Sequence, residues 1–266
     1  NGGDVITQTE IYKADKAEDI SVSQIYVKEN ARISGNDVAL RAKSNVLKTD
    51  ENLLGFEGET SWLDWLYAEE LNYIADKFVH LADIKTQVIV EKGAVINAIN
   101  NAIFEAKAYL PITVNSDMVA LAFNYLDVDF TTETLVKSGS TINANALKVN
   151  TLTDIRFNSS VKSSNLLELG LDRLGKNIFG HAGSYALSFS VQDVVNRAVI
   201  EHGAKLNITN DIDVIASVLN NRTETVKNGL IPLIDTNEGN VGAALTLFNS
   251  NVENEARMDA DAKING

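Results

Sequence analysis

The sequence predicts an all-β protein, a right-handed parallel β-helix (solenoid), interrupted by a helical insertion around residues 61–82. Three observations predict it. First, one short pattern recurs five times: Val27-Lys28-Glu29-Asn30-Ala31-Arg32-Ile33-Ser34-Gly35, Val90-Glu91-Lys92-Gly93-Ala94-Val95-Ile96-Asn97-Ala98, Val136-Lys137-Ser138-Gly139-Ser140-Thr141-Ile142-Asn143-Ala144, Ile200-Glu201-His202-Gly203-Ala204-Lys205-Leu206-Asn207-Ile208 and, more loosely, Ala262-Lys263-Ile264-Asn265-Gly266. Second, an alternating strand follows each of the first four copies: Val38, Leu40 and Ala42; Ala102, Phe104 and Ala106; Leu147 and Val149; Ile212, Val214 and Ala216. Period-2 alternation marks a strand with one buried face. Third, a further apolar segment precedes the last three copies: Ala120-Leu121-Ala122-Phe123-Asn124-Tyr125, Ala186-Leu187-Ser188-Phe189-Ser190-Val191 and Ala244-Leu245-Thr246-Leu247-Phe248-Asn249.

The small residue of the pattern falls at positions 31, 94, 140, 204 and 262. A β-helix coil uses roughly 20 residues, so most intervals predict three coils each and the shortest predicts two. A β-sandwich also has short alternating strands, but it calls for Asn-Gly or Asp-Gly hairpin turns between neighbours. Away from the two ends of the sequence, Asn228-Gly229 stands alone as such a candidate. The expected organisation is therefore one domain, residues 1–266, cut from a longer solenoid. The start lacks a Met and the end stops inside a repeat.

Within the repeat, Gly93, Gly139 and Gly203 read as turn residues that need positive φ. Asn97, Asn143, Asn207 and Asn265 read as corner residues, because Asn tolerates left-handed backbone and bonds its own chain. With copies three coils apart, these asparagines are not expected to touch. A displayed ligand-binding row is the functional alternative.

Residues 57–82 read differently. Ser61-Trp62-Leu63-Asp64 resembles a capping box, and Leu63, Leu66, Leu71, Ile74, Phe78 and Leu81 recur at helical spacing. Both tryptophans lie there. A helix packed on the solenoid flank is the plain expectation, and a recognition module using Trp62, Trp65 and Tyr67 as aromatic anchors is the functional one. The acidic face of Asp64, Glu69, Glu70 and Asp76 argues against a membrane-surface helix. A shorter helical excursion is expected over 165–175, capped by Asn165 and ended by Gly175. Residues 221–238 read as a loop, broken by Asn228-Gly229 and Pro232.

Composition excludes several functions. The chain of 266 residues is 45% hydrophobic and 22% charged, with a net charge of −13, which argues against nucleic acid, whose binding needs a concentrated basic surface. There is no Cys, which removes disulfides, thiolate nucleophiles and Cys-ligated metals. No apolar run reaches the 18 residues of a spanning helix, and no signal peptide is visible. His80, His181 and His202 are scattered, and no HExxH, GxSxG, GxGxxG or Walker pattern occurs. Asp127-Val128-Asp129 is the best carboxylate pair for polysaccharide chemistry. Asp211-Ile212-Asp213 and Asp259-Ala260-Asp261 repeat its form, and solubilising charge on outer faces explains all three. No catalytic residue, cofactor or metal site is predicted.

The small or aliphatic strand, the variable Asn- and Asp-rich link, the Gly-Ala turn and the Ile-Asn step together resemble the repeats of large exported bacterial exoproteins. These are the two-partner-secretion, filamentous-haemagglutinin-type adhesins and autotransporter passengers. Ala186 to Val218 carries the likeness most clearly, and it extends over about two-thirds of the chain. Residues 45–80 depart from it, containing no repeat. The resemblance implies a secreted or cell-surface, non-enzymatic segment that presents or spaces a host-cell protein or glycan binding surface. It also implies an outer-membrane transporter for the parent protein, and no membrane insertion by this segment. A secreted cytolysin-like exoprotein and a β-helix polysaccharide-active enzyme are the alternatives.

Overall fold

The computed structural model describes residues 5–14, 18–53, 79–119, 121–164, 183–229, 241–259 and 263–264. Among the described residues there are fifteen strands and no helix. All pairings are parallel, and they build three five-stranded sheets. The first sheet runs β1 (Val5–Ala14), β4 (Val38–Leu53), β7 (Asn101–Val119), β10 (Ala146–Ser164) and β13 (Ile212–Gly229). The second runs β2 (Glu18–Val27), β5 (Val79–Val90), β8 (Leu121–Val136), β11 (Gly183–Ile200) and β14 (Val241–Met258). The third holds the short strands β3 (Arg32–Gly35), β6 (Val95–Ala98), β9 (Thr141–Ala144), β12 (Lys205–Ile208) and β15 (Lys263–Ile264). The chain visits the second, third and first sheets in turn and adds one strand to each on every circuit, which is compatible with a parallel β-helix.

One repeat is one circuit, not the three coils that its length predicts. Val27 pairs with Val90, Val90 with Val136, Val136 with Ile200 and Ile200 with Met258. The expected coil length fails because the strands are long: β7 has 19 residues, about 60 Å of extended chain. Links of different length absorb the rest of each interval.

Three further expectations change. The helical insertion over 57–82 lies outside the described residues up to position 78, but residues 79–82 begin strand β5. Residues 45–53, which carry no visible repeat, belong to β4, and residues 45 and 48–53 pair with β7. Residues 221–229, read as a loop, complete β13 and pair along their length with β10. Parallel pairing to a formed neighbour outweighs weak local propensity there. The excursion expected at 165–175 and the residues Trp62, Trp65 and Tyr67 lie outside the described residues.

The turn between the second and third sheets repeats closely. Lys28, Glu91, Lys137 and Glu201 each accept an N–H from the residue three positions on, at 3.0–3.1 Å. The third turn residue has positive φ: 62° at Asn30, 72° at Gly93, 76° at Gly139 and 81° at Gly203. Positive φ at that position alone is the type II pattern, which favours Gly or Asn. A Cβ on Gly93 would run into the Asn30 side-chain oxygen of the rung below. Gly93→Ala is therefore expected to destabilise by about 2 kcal/mol, read as a lower denaturant midpoint, while Asn30→Gly changes stability little.

Two apolar clusters fill the interior. Next to the third sheet, Leu40, Ala102, Phe104 and Val149 pack against Val88, Val136, Ile96, Ile142 and Leu206. Farther along the long strands, Leu110, Ile112, Ile155 and Phe157 face Ile84, Leu126, Val128 and Phe130. A buried polar belt divides them. Ser23, Thr86, Thr132 and Asn196 stack on the second sheet, opposite Ser44, Thr151 and Thr153 of the first. Thr86 and Ser44 are bonded at 2.8 Å, as are Thr153 and Thr132. Asn196 accepts from Thr153 at 3.3 Å and donates to the Ser217 carbonyl at 3.2 Å. Through these pairs the belt is bonded across the sheets, while the buried Thr151 hydroxyl finds no partner.

Candidate functional site

The outer faces of the two long sheets carry the side chains that could meet a partner, and the strand register sorts them by charge. On the second sheet, Asp83, Asp129 and Asp193 occupy one column, rung above rung, with Asp127 two residues away. Leu126, Val128 and Phe130 point inward and are buried, so both aspartates of Asp127-Val128-Asp129 share the outer face as expected. Burial, together with Asp127, Asp193 and Asp83, pushes the Asp129 carboxyl above its ordinary value. Next to this row runs a bonded ladder: Gln24 donates to Gln87 at 2.6 Å, Gln87 donates to Glu133 at 2.5 Å, and Arg197 bridges Glu133 at 3.5 Å and Glu253 at 2.5 Å.

The first sheet has the opposite character. Across β4, β7 and β10, Arg41, Lys43, Lys107, Lys148 and Arg156 face outward with Glu105 and Asp154 between them. Glu105 receives Arg41 and Lys107, each at 3.3 Å. Burial alone would raise its carboxyl, but Lys107, the Asn150 amide and Arg41 together hold it below the usual range.

These two carboxylates make opposite contributions to pH-dependent stability. Glu105 is lowered, so its contribution is present at neutral pH and is lost as pH falls through its folded pKa. Asp129 is raised, so the folded state binds its proton more readily and that site loses stability as pH rises through the carboxylate range. Asp129→Asn is therefore expected to raise Tm at about pH 7, and Glu105→Gln to lower it. Both differences should shrink toward about pH 3.

A groove opens in the middle of the first sheet's outer face. It is lined by Lys43, Asn45, Tyr109, Pro111, Asp154 and Arg156, with a volume of about 380 Å³. Its position follows from the local pairing. Asn45, Tyr109 and Asp154 stand side by side on β4, β7 and β10. The β4–β7 pairing then lapses at Val46 and Leu47 and resumes at Lys48 and Ile112. Pro111 sits in that gap, in a central strand, where its missing N–H removes a ladder bond. The Asp154 side chain, 4% exposed, is held by Arg156 through Nε at 3.1 Å and Nη2 at 2.8 Å. The Lys43 ammonium lies 5.6 Å from the Tyr109 ring centre. Burial and the carboxylates of Asp154 and Glu105 push the Tyr109 phenol above its ordinary value, against the opposing Lys43. The phenol therefore stays protonated and able to donate. The arrangement offers an aromatic face and a proline edge beside cationic and amide donors.

The expected corner asparagines are placed differently from the corner role. Asn97, Asn143 and Asn207 lie within β6, β9 and β12, not at a left-handed turn position. They also touch: Asn207 donates to Asn143 at 2.5 Å, Asn143 to Asn97 at 2.6 Å, and Asn97 to Ser34 at 3.1 Å. One circuit per repeat brings them onto adjacent rungs, where side-chain amides form a ladder. A second asparagine row went unnoticed in the sequence. The backbones of Asn36, Asn100, Asn145 and Asn210 bond in succession at 2.7–2.9 Å where the chain passes from the third sheet to the first. Its signal was present as an Asn two or three residues beyond the Ile-Ser, Ile-Asn or Leu-Asn step of each of the first four copies.

The groove was not legible either, since its residues come from three repeats and carry no motif. Of the histidines, His202 sits in the fourth turn with its backbone N–H on Asp259 at 3.0 Å, and His181 lies outside the described residues. Among the described residues no group of three or more His, Cys, Asp or Glu side chains is arranged to hold a metal ion. In comparison with known proteins, the chain matches no family model, no curated protein and no solved structure.

Proposed function

We propose that the chain is a segment of a right-handed parallel β-helix from a secreted or surface-anchored bacterial adhesin, non-enzymatic, which presents and spaces a binding surface for host-cell protein or glycan. The observation that carries this reading is the groove of about 380 Å³ on an outer face, built on a stack of strands held in one register by turn, backbone and asparagine ladders. Regular stacking gives reach, because each circuit adds one rung of about 4.8 Å. Ladders that bond rung to rung resist shearing along that axis. The sequence resemblance to exported exoproteins supports the compartment, and an outer-membrane transporter would act on the parent protein. A helical module carrying Trp62, Trp65 and Tyr67 would be a second contact region.

The test is binding of the whole chain to epithelial cells and to a glycan panel, beside a folded Trp62→Ala/Trp65→Ala variant. Saturable binding with the ligand recovered intact is expected. Release of reducing ends or unsaturated sugars would replace this reading with a polysaccharide-active enzyme, and lysis of the cells would replace it with a cytolysin. Absence of any binding would reduce the segment to a spacer.

A further inference from the structure

We infer that the outer face of the first sheet, centred on the Tyr109–Pro111 groove, binds an anionic polysaccharide, one bearing carboxylate or sulfate groups along its length. The inference rests on the binding-segment reading above and names the ligand class and its place. Three observations carry it.

The first is charge. The chain has a net charge of −13, yet on β4, β7 and β10 of this face Arg41, Lys43, Lys107, Lys148 and Arg156 outnumber Glu105 and Asp154, and they still do when Asp213, beside Lys148 on β13, is added. The opposite sheet displays Asp83, Asp127, Asp129 and Asp193. A polyanion is therefore repelled by most of the molecule and attracted to this face, which orients its approach.

The second is extent. Lys148 and Arg156 lie eight residues apart on β10, about 25 Å along the strand, and β4, β7 and β10 together span about 10 Å across it. A single small anion would use only one or two of these cations. A chain of several charged units lying along the strands would meet most of them.

The third is the groove itself. Its volume of about 380 Å³ falls in the range of small-molecule sites, about 300–1,000 Å³. The Tyr109 ring and Pro111 offer flat apolar surface suited to the C–H face of a sugar ring. The Tyr109 hydroxyl, the Asn45 amide and the Lys43 ammonium are placed to meet hydroxyl and acid groups. Arg156, bonded through Nε and Nη2 to Asp154, keeps its side chain 66% exposed.

The experiment titrates the whole chain with heparin-derived and polygalacturonate oligosaccharides, with neutral dextran oligosaccharides and single-stranded DNA as comparisons. Lys43→Glu and Tyr109→Ala are tested with their melting curves recorded, beside Lys85→Glu, which changes charge on the second sheet. The expected result is binding of the acidic oligosaccharides alone, weakened about tenfold or more by each first-sheet change, untouched by Lys85→Glu and weakened by salt. Tyr109→Phe, which keeps the ring, should retain most of the affinity and so separates stacking from loss of fold. Equal binding of dextran, displacement by DNA at equal concentration, or equal weakening by Lys85→Glu would each overturn the inference. Cell binding that persists unchanged in both first-sheet variants would overturn this site and leave the adhesin reading standing. Failure of the unmodified chain to bind either cells or sugars would overturn both.

Discussion

Replacing Glu224 by Gln is expected to cost about 3 kcal/mol of folding stability, seen as a lower urea midpoint at unchanged slope. Glu224 lies inside the last circuit, where the apolar filling of the earlier ones gives way to polar side chains. It pairs with Arg222, and the two side chains are 9% and 14% exposed. The Arg222 guanidinium lies 4.7 Å from the Phe157 ring centre and 4.0 Å from that of Phe248, so it joins β10 and β14 across the interior. Ser190 accepts from Arg222 at 2.8 Å, and Ser188 donates to Glu224 at 3.0 Å. Burial pulls the Arg222 pKa below its ordinary value, and Glu224 opposes that shift. Removing the carboxylate leaves a cation between two aromatic rings without its counter-charge, and that loss is larger than the pair's own net contribution. Arg222→Met combined with Glu224→Leu should recover most of the stability, because burying neither charge avoids both desolvation costs. If the single and double variants are equally destabilised, the pair is not electrostatically coupled and the loss is one of packing alone.

The second large effect is expected at Asn196, which is fully buried in the polar belt. Asn196→Ala should cost about 3 kcal/mol, from polar partners left unbonded and from the void itself. Its amide donates to Asn254 at 2.7 Å and to the Ser217 carbonyl at 3.2 Å, while its oxygen accepts from Thr153. These bonds run both along the second sheet and across to the first. Asn196→Leu restores volume but not bonding, so it should recover only part of the loss. Full recovery by Leu would show that the belt is no more than filling. Hydrogen exchange offers a second reading, since loss of Asn196 should speed opening of β13 and β14 more than of β7 and β8.

The belt also explains why the long strands need more than apolar contact to hold register. A strand of 18 residues can slip by two without exchanging its inner and outer faces, so alternation alone permits several pairings. Such a slip occurs in the sequence-level alignment of the second sheet. Ala120 appears equivalent to Ala186 there, whereas the structure pairs Ala186 with Ala122 on one side and Ala244 on the other. Ser, Thr and Asn side chains that must meet their partners remove that freedom.

What the sequence alone determined is local and periodic. Val38, Leu40, Ala42 and their counterparts alternate because each strand has one buried face, and Gly93, Gly139 and Gly203 recur because one turn position requires positive φ. The all-β character follows from those two constraints, and the recurrence of the whole pattern points to parallel stacking. The tertiary structure decided what depends on stacking. Circuit length was hidden, because links of unequal size separate strands that pair in one register. The asparagine ladder was hidden with it, since Asn97 and Asn143 meet only when each repeat is a single circuit. The groove required Asn45, Tyr109 and Asp154 to share a row, and Pro111 to interrupt its neighbour. Sequence periodicity encodes which face a residue takes; which residues of distant repeats become neighbours is set by the pairing of whole strands, and the site arises there.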